Sequence, residues 1–193
     1  MNHIIVEEIR ELKSLIENNA EMLAKDRVYV VLEMIKSIQN KNFDKSLEMQ
    51  KKEIQNFLQN FRFSNNNYVR VFDTKGKVIT HILPSYIGKN LWNEKTTGHF
   101  YIQEFINAGL KNDGSLISYK NSKNLTKKVS FITKLEGLDW VIGVDVHLAD
   151  VNSMFKENIL FLDKDINDFI FNNVFIPLII TLVCIIFIYL PSN

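Results

Sequence analysis

The sequence predicts an α+β fold: five antiparallel strands with helices packed on one side, followed by an apolar C-terminal helix. Three observations predict it. Helical periodicity runs without a break through residues 4–40, strand-like alternation is confined to residues 68–146, and residues 174–190 carry no charge.

The first element is long. Ile5, Ile9, Leu12 and Ile16 are spaced by four, three and four, and Leu23, Val31, Ile35 and Ile38 continue the stripe with some drift. No Pro or Gly interrupts it, so it predicts a rod of about 50 Å at 1.5 Å per residue. A rod of that length in a small domain projects or packs on a second copy, which predicts a homodimer through this helix.

The second helix is predicted from Asp44 to Phe61, with Asp44 as N-cap and Leu47, Ile54, Phe57, Leu58 and Phe61 as its apolar face. Ser-Asn-Asn-Asn at 64–67 ends the helical pattern. Strands follow at 68–72 (YVRVF) and 77–82 (KVITHI), joined by Asp73-Thr-Lys-Gly76, whose Asp and Gly suit the first and fourth positions of a turn. The stretch 81–92 (HILPSYIGKNLW) lacks the further glycines and the Lys-Ser/Thr pair of a phosphate loop. It predicts a connection in which Gly88 takes positive φ and Lys89 faces solvent. A short helix over 99–111 and strands at 115–120, 128–133 and 140–146 complete the domain. The last helix starts near Leu148 and runs on toward the apolar segment.

That segment, with Phe169-Ile170-Phe171 ahead of it, provides the roughly twenty apolar positions a bilayer core requires, and Pro177 is tolerable in a membrane helix. The flank mixes Lys156, Asp163, Lys164, Asp165 and Asp168, so charge asymmetry sets no orientation. At the N-terminus, charges come too early for a signal peptide. The expectation is a tail-anchored protein or a fragment that has lost an upstream membrane helix.

Composition narrows the function. A net charge of +1 leaves no electrostatic footprint for nucleic acid. Cys184 has no internal disulfide partner, and the histidines at 3, 81, 99 and 147 lack metal-site spacing. Neither a Gly-x-Ser-x-Gly elbow nor another catalytic set occurs, so no enzyme, metal or cofactor is expected. What stands out is polar residues inside apolar strands: Arg70, His81, Tyr119, Lys128 and Ser130. A cation in a strand must face water or meet an anion, because an unpaired buried charge is expensive. Alternation puts Tyr68 with Arg70 on one face, and Lys128 with Ser130 on one face.

Together, YVRVFD (68–73), Gly76, His81, Pro84, GKNLW (88–92), Gly98, Tyr119, KVSF (128–131) and WVIGVDV (140–146) resemble a bacterial single Cache sensor domain over about residues 5–165. His81-Ile82 stands where that family commonly has His-Pro, and the gap to Gly88 is one residue shorter. Phe131 replaces a common Tyr, removing a hydroxyl that could bind ligand, and Val-Asp-Val replaces a Gly-rich ending in the last strand.

The resemblance implies a PAS-like five-stranded antiparallel sheet with a long N-terminal helix, displayed outside the inner membrane, periplasmic or extracellular, as the input module of a signalling receptor. Its parts would be the long helix (1–40), the sensor core (41–150), an exit helix (151–168) and a transmembrane helix (169–190). The implied ligand is a small organic acid or related metabolite, and the implied ligand-binding residues are Tyr68, Arg70, His81, Tyr119, Lys128 and Ser130. A Cache-like dimerisation module without ligand is the alternative.

Overall fold

The computed structural model describes residues 3–64, 67–95, 98–120 and 126–189. By contacts the chain divides into two units, Met1–Val151 and Asn152–Asn193.

In the first unit, α1 (His3–Lys41) is followed by α2 (Leu47–Asn60), β1 (Arg62–Ser64), β2 (Asn67–Asp73) and β3 (Val78–Thr80). After α3 (Tyr101–Gly109) come β4 (Ser115–Lys120), β5 (Lys127–Leu135) and β6 (Trp140–His147). The strands form one antiparallel sheet in the order β1-β2-β6-β5-β4, with β3 paired on β2. The sheet therefore has six strands rather than five. The extra one is β1, three residues that pair back on β2 through Arg62 opposite Tyr68; a strand this short carries no readable alternation.

Helices cover both faces of the sheet, which corrects the one-sided expectation. Strand alternation separates the two sets. Phe131 meets Tyr29 of α1 at 5.8 Å between ring centroids, placing Val129, Phe131 and Thr133 on the α1 face. Phe72 meets Phe105 of α3 edge-to-face at 5.2 Å, so Arg70 and Phe72 lie on the α3 face. Gly143 belongs to the α3 face too: a Cβ there would come 2.6 Å from Phe105 Cζ, so only glycine lets the helix approach. The α1 residues buried on the sheet are Ala20, Ala24, Val28, Val31 and Ile35, spaced four, four, three and four. Ile9 and Leu12, expected in the same stripe, are exposed. The small alanines, which a search for large apolar residues passes over, let the helix lie close to the strands.

The N-cap of α2 is Ser46, not Asp44: the Ser46 hydroxyl accepts from Met49 N–H, two residues beyond the expected start. Two glutamines of α2 hold β3. Gln55 donates to the Ile79 carbonyl at 2.7 Å, while Gln59 donates to the His81 carbonyl at 2.8 Å and accepts from its N–H at 3.2 Å. The β2–β3 turn is closed by Asp73, whose carboxylate accepts from Lys75 and Lys77 N–H. Gly88 has φ +84°, and Lys89 is exposed.

Helix α4 (Leu148–Ile170) follows β6 directly and extends into the second unit. There the backbone makes one π-helical turn at Phe171–Phe175 and resumes as α5 (Ile176–Tyr189). Pro177, which has no N–H to donate, stands just beyond that turn. Among the described residues one helical stretch, Lys164–Leu182, is long and apolar enough to cross a membrane, with mean hydropathy 1.3 and all of its described side chains exposed.

Candidate functional site

The α3 face of the sheet carries a polar cluster built from four strands, with Arg70 and Ser130 buried and Tyr119, Lys128 and Asp145 partly buried. The ladder pairs Arg70 with Gly143 and Ser130 with Asp145, and Tyr119 with Lys128. Side chains two apart on one strand and opposite on the next share a face, so Arg70, Lys128, Ser130 and Asp145 converge.

Asp145 is the centre. Its Oδ1 accepts from the Arg70 guanidinium in a short ion pair and from the Ser130 hydroxyl at 2.5 Å. Its Oδ2 accepts from the Tyr119 hydroxyl at 2.6 Å, with Lys128 Nζ 3.8 Å away. Arg70 Nη2 also donates to Tyr119 Oη at 3.0 Å and to Ser130 Oγ at 3.3 Å. Arg70 is only 8% exposed. Helix α3 closes over it: the guanidinium carbon lies 4.8 Å from the Phe105 ring centre and 5.2 Å from that of Tyr101.

Two buried polar atoms of this cluster meet no partner in good hydrogen-bond geometry among the described residues, Arg70 Nε and Tyr101 Oη, although Tyr119 and Arg70 lie close enough to Tyr101 to oppose the rise in its pKa. An unsatisfied buried donor costs about 1–3 kcal/mol, so such groups mark a place where a further partner is expected.

Electrostatics follow from the crowding. Burial raises the Asp145 carboxyl, but Arg70, Ser130, Tyr119 and Lys128 outweigh it and hold its pKa below the ordinary value. Burial works against the Arg70 charge, and Asp145 more than reverses this, raising its pKa well above normal. Burial lowers the Lys128 pKa; Asp145 opposes the shift and Arg70 adds to it. Burial pushes the Tyr101 hydroxyl up to about 12 and that of Tyr119 higher still. Two cations thus share one carboxylate, and Lys128 is the less tightly paired.

Tyr68 and His81 form a separate group on the flank. Their rings meet edge-to-face at 5.8 Å, and His81 also lies 4.7 Å from the Tyr86 ring. His81 Nδ1 accepts from Leu83 N–H at 3.0 Å, and burial lowers its pKa. Of the six residues expected at a ligand site, the structure brings Arg70, Tyr119, Lys128 and Ser130 around one point and sets Tyr68 and His81 beside it. Phe131 sits on the α1 face, so a hydroxyl there would not enter this cluster.

Sequence reasoning missed Asp145, Tyr101 and Phe105. A signal for Asp145 existed: a buried strand cation needs an anion, and among the described strands Asp73 and Asp145 supply the only carboxylates. Asp73 is committed to its turn.

The sequence model of the Cache domain family matches residues 3–173. The fold superposes on a methyl-accepting chemotaxis protein of Vibrio parahaemolyticus with TM-score 0.60 and 26% identity, covering 75% of this chain and 99% of that one. A second structure, solved as the basis of carboxylic acid recognition by a Cache chemosensory domain, aligns with TM-score 0.51 and 15% identity over 76% of this chain and 99% of the other. Among curated proteins, the sensor histidine kinase MctS of Rhizobium johnstonii is 31% identical over 110 residues, which is 54% of this chain. The chain spans about a quarter of that relative, 24% of its length. The long helix, the antiparallel sheet and the ordered motifs on it are those of the Cache domain family, to which this chain belongs.

Proposed function

We propose that the chain is the extracytoplasmic ligand-sensing part of a bacterial membrane signalling receptor. It binds a small organic acid on the α3 face of the sheet and transmits through its C-terminal helix, whose residues 169–190 span the inner membrane. One observation carries the reading: a partly buried cluster with two cations, one carboxylate and two unsatisfied polar atoms, Arg70 Nε and Tyr101 Oη. A ligand carboxylate would supply the missing negative charge to Lys128 and an acceptor to Arg70 Nε, through charge-assisted bonds stronger than neutral ones. Tyr68 and His81 would bound the ligand's other end. Asp145 lies three residues before α4, so a change at the ligand reaches the exit helix through β6 without an intervening loop. Displacements of about 1–2 Å suffice for such switching.

The test uses the full chain in detergent. Acetate, propionate and pyruvate raise the thermal midpoint of the wild type, neutral acetamide does not, and Lys128→Ala loses the response. If wild type and Lys128→Ala respond identically to all four compounds, the assignment fails.

A second reading, a dimerisation module without ligand, is favoured by the internal pairing of Arg70 with Asp145 and by the exposed apolar residues Ile9, Leu12, Leu15 and Met22 of α1. A homodimer through α1 is part of both readings. The absence of any carboxylate response would select the second.

A further inference from the structure

The Asp145 carboxylate sits where a bound organic acid would be expected to sit. One of its oxygens takes Arg70 and Ser130, and the other takes Tyr119 and faces Lys128. Those four side chains are the donors that sequence reasoning assigned to a ligand, and all of them are engaged by a carboxylate belonging to the chain itself. Its pKa is held low by the same neighbours, so it stays ionised at neutral pH. The position is also a departure in the sequence, an acid on a strand whose buried run is otherwise apolar.

We propose that Asp145 is a tethered competitor: an internal carboxylate that occupies the sensor's own anion site and must be displaced from Arg70 when a free carboxylate binds. The inference rests on the carboxylate reading given above and deepens it, since it names what the ligand exchanges with. Its physical basis is effective concentration. A carboxylate fixed on β6 is presented to Arg70 without loss of translational freedom, so a free acid competes at a disadvantage unless it gains contacts Asp145 does not make. The unsatisfied Arg70 Nε–H and Tyr101 Oη are such contacts. The resting affinity is thereby set low, and an acid that reaches both groups binds more tightly than one that does not. Release of Asp145 frees a charged side chain three residues ahead of α4, so the exchange itself is the event passed to the exit helix.

The test compares wild type, Asp145→Asn and Asp145→Ala as full chains in detergent. Propionate affinity, measured by calorimetry, rises at least tenfold in Asp145→Asn, because the competing charge is gone while the side-chain shape remains. In Asp145→Ala, a free acid refills the vacated place. Acetate at about a hundredfold excess over its Kd raises the thermal midpoint by about 5 °C more than acetamide does. Wild type gains less from acetate than this variant.

If propionate binds wild type and Asp145→Asn equally, Asp145 is no competitor and the sensing proposal stands without it. If acetate fails to stabilise Asp145→Ala, or that variant stays unfolded in saturating acetate, the inference is overturned as well. If no carboxylate binds wild type or either variant, the sensing proposal falls together with the inference.

Discussion

Arg70 and Asp145 hold their charges inside the sheet because each supplies what the other's burial removes, and Ser130 and Tyr119 take up remaining hydrogen bonds. The folded Asp145 pKa lies below the unfolded value of 3.8, so the unfolded chain binds the proton more readily. The stabilisation is therefore fully present above about pH 4 and is lost as pH falls through the lower folded value. Thermal midpoints of wild type and Asp145→Asn at pH 7, 5 and 3 check this: their difference is constant between pH 7 and 5 and changes only at pH 3. A difference already altered at pH 5 would place the folded pKa above the unfolded one. His81 and His147 run the other way from a paired histidine. Burial lowers both, so their contribution is full above the unfolded value of 6.5 and declines below it. At this scale the sequence announced the cations plainly and their partner only by elimination. Arg70 and Lys128 are conspicuous in apolar strands, whereas an acid near the end of one strand reads equally well as exposed.

Among the elements, β6 does two jobs on one face. Gly143 admits Phe105, which closes over Arg70, and Asp145 one pleat further on receives the guanidinium. The Gly143→Ala substitution puts a methyl 2.6 Å from Phe105 Cζ and 2.9 Å from Ile132 Cγ1. It is expected to cost about 1–3 kcal/mol through overpacking and to shift α3 away from the cluster. Urea unfolding of the variant measures the cost, and a loss under about 0.5 kcal/mol would mean that α3 yields freely. The strands and the long helix were legible because alternation and periodicity are local signals. The short β1 was not, since three residues carry no period, and its pairing with β2 is a tertiary fact. The sheet-facing stripe of α1 was only partly legible. Ala20 and Ala24 are buried for their smallness, while the larger Ile9 and Leu12 stay exposed.

For the whole molecule, those exposed side chains state what an isolated chain leaves unburied. Helix α1 has 39 residues, and its sheet-packed stripe begins only at Ala20. The proposed homodimer would bury Ile9 and Leu12 between two copies. Ile9→Lys with Leu12→Lys is expected to convert a dimer of the full chain in detergent to a monomer, read by light scattering. A monomeric wild type, or a double variant that remains dimeric, would remove α1 as the interface. The apolar segment was legible from composition alone, because seventeen uncharged residues are a property of the sequence and need no partner to be recognised.

The π-helical turn at Phe171–Phe175 bears on how the apolar segment should be read. An α-helix advances 100° per residue, and a π turn absorbs about one residue more than an α turn does. Side chains after Ile176 are therefore out of phase, by about that angle, with a wheel drawn straight through from Asn152. A stripe of lipid-facing or helix-facing residues traced across Phe171–Phe175 has to be restarted on the far side. Removing one residue from that turn would let an ordinary α turn replace it and leave the side chains beyond it facing much as before, whereas the same deletion in a plain α-helix would rotate them by that angle.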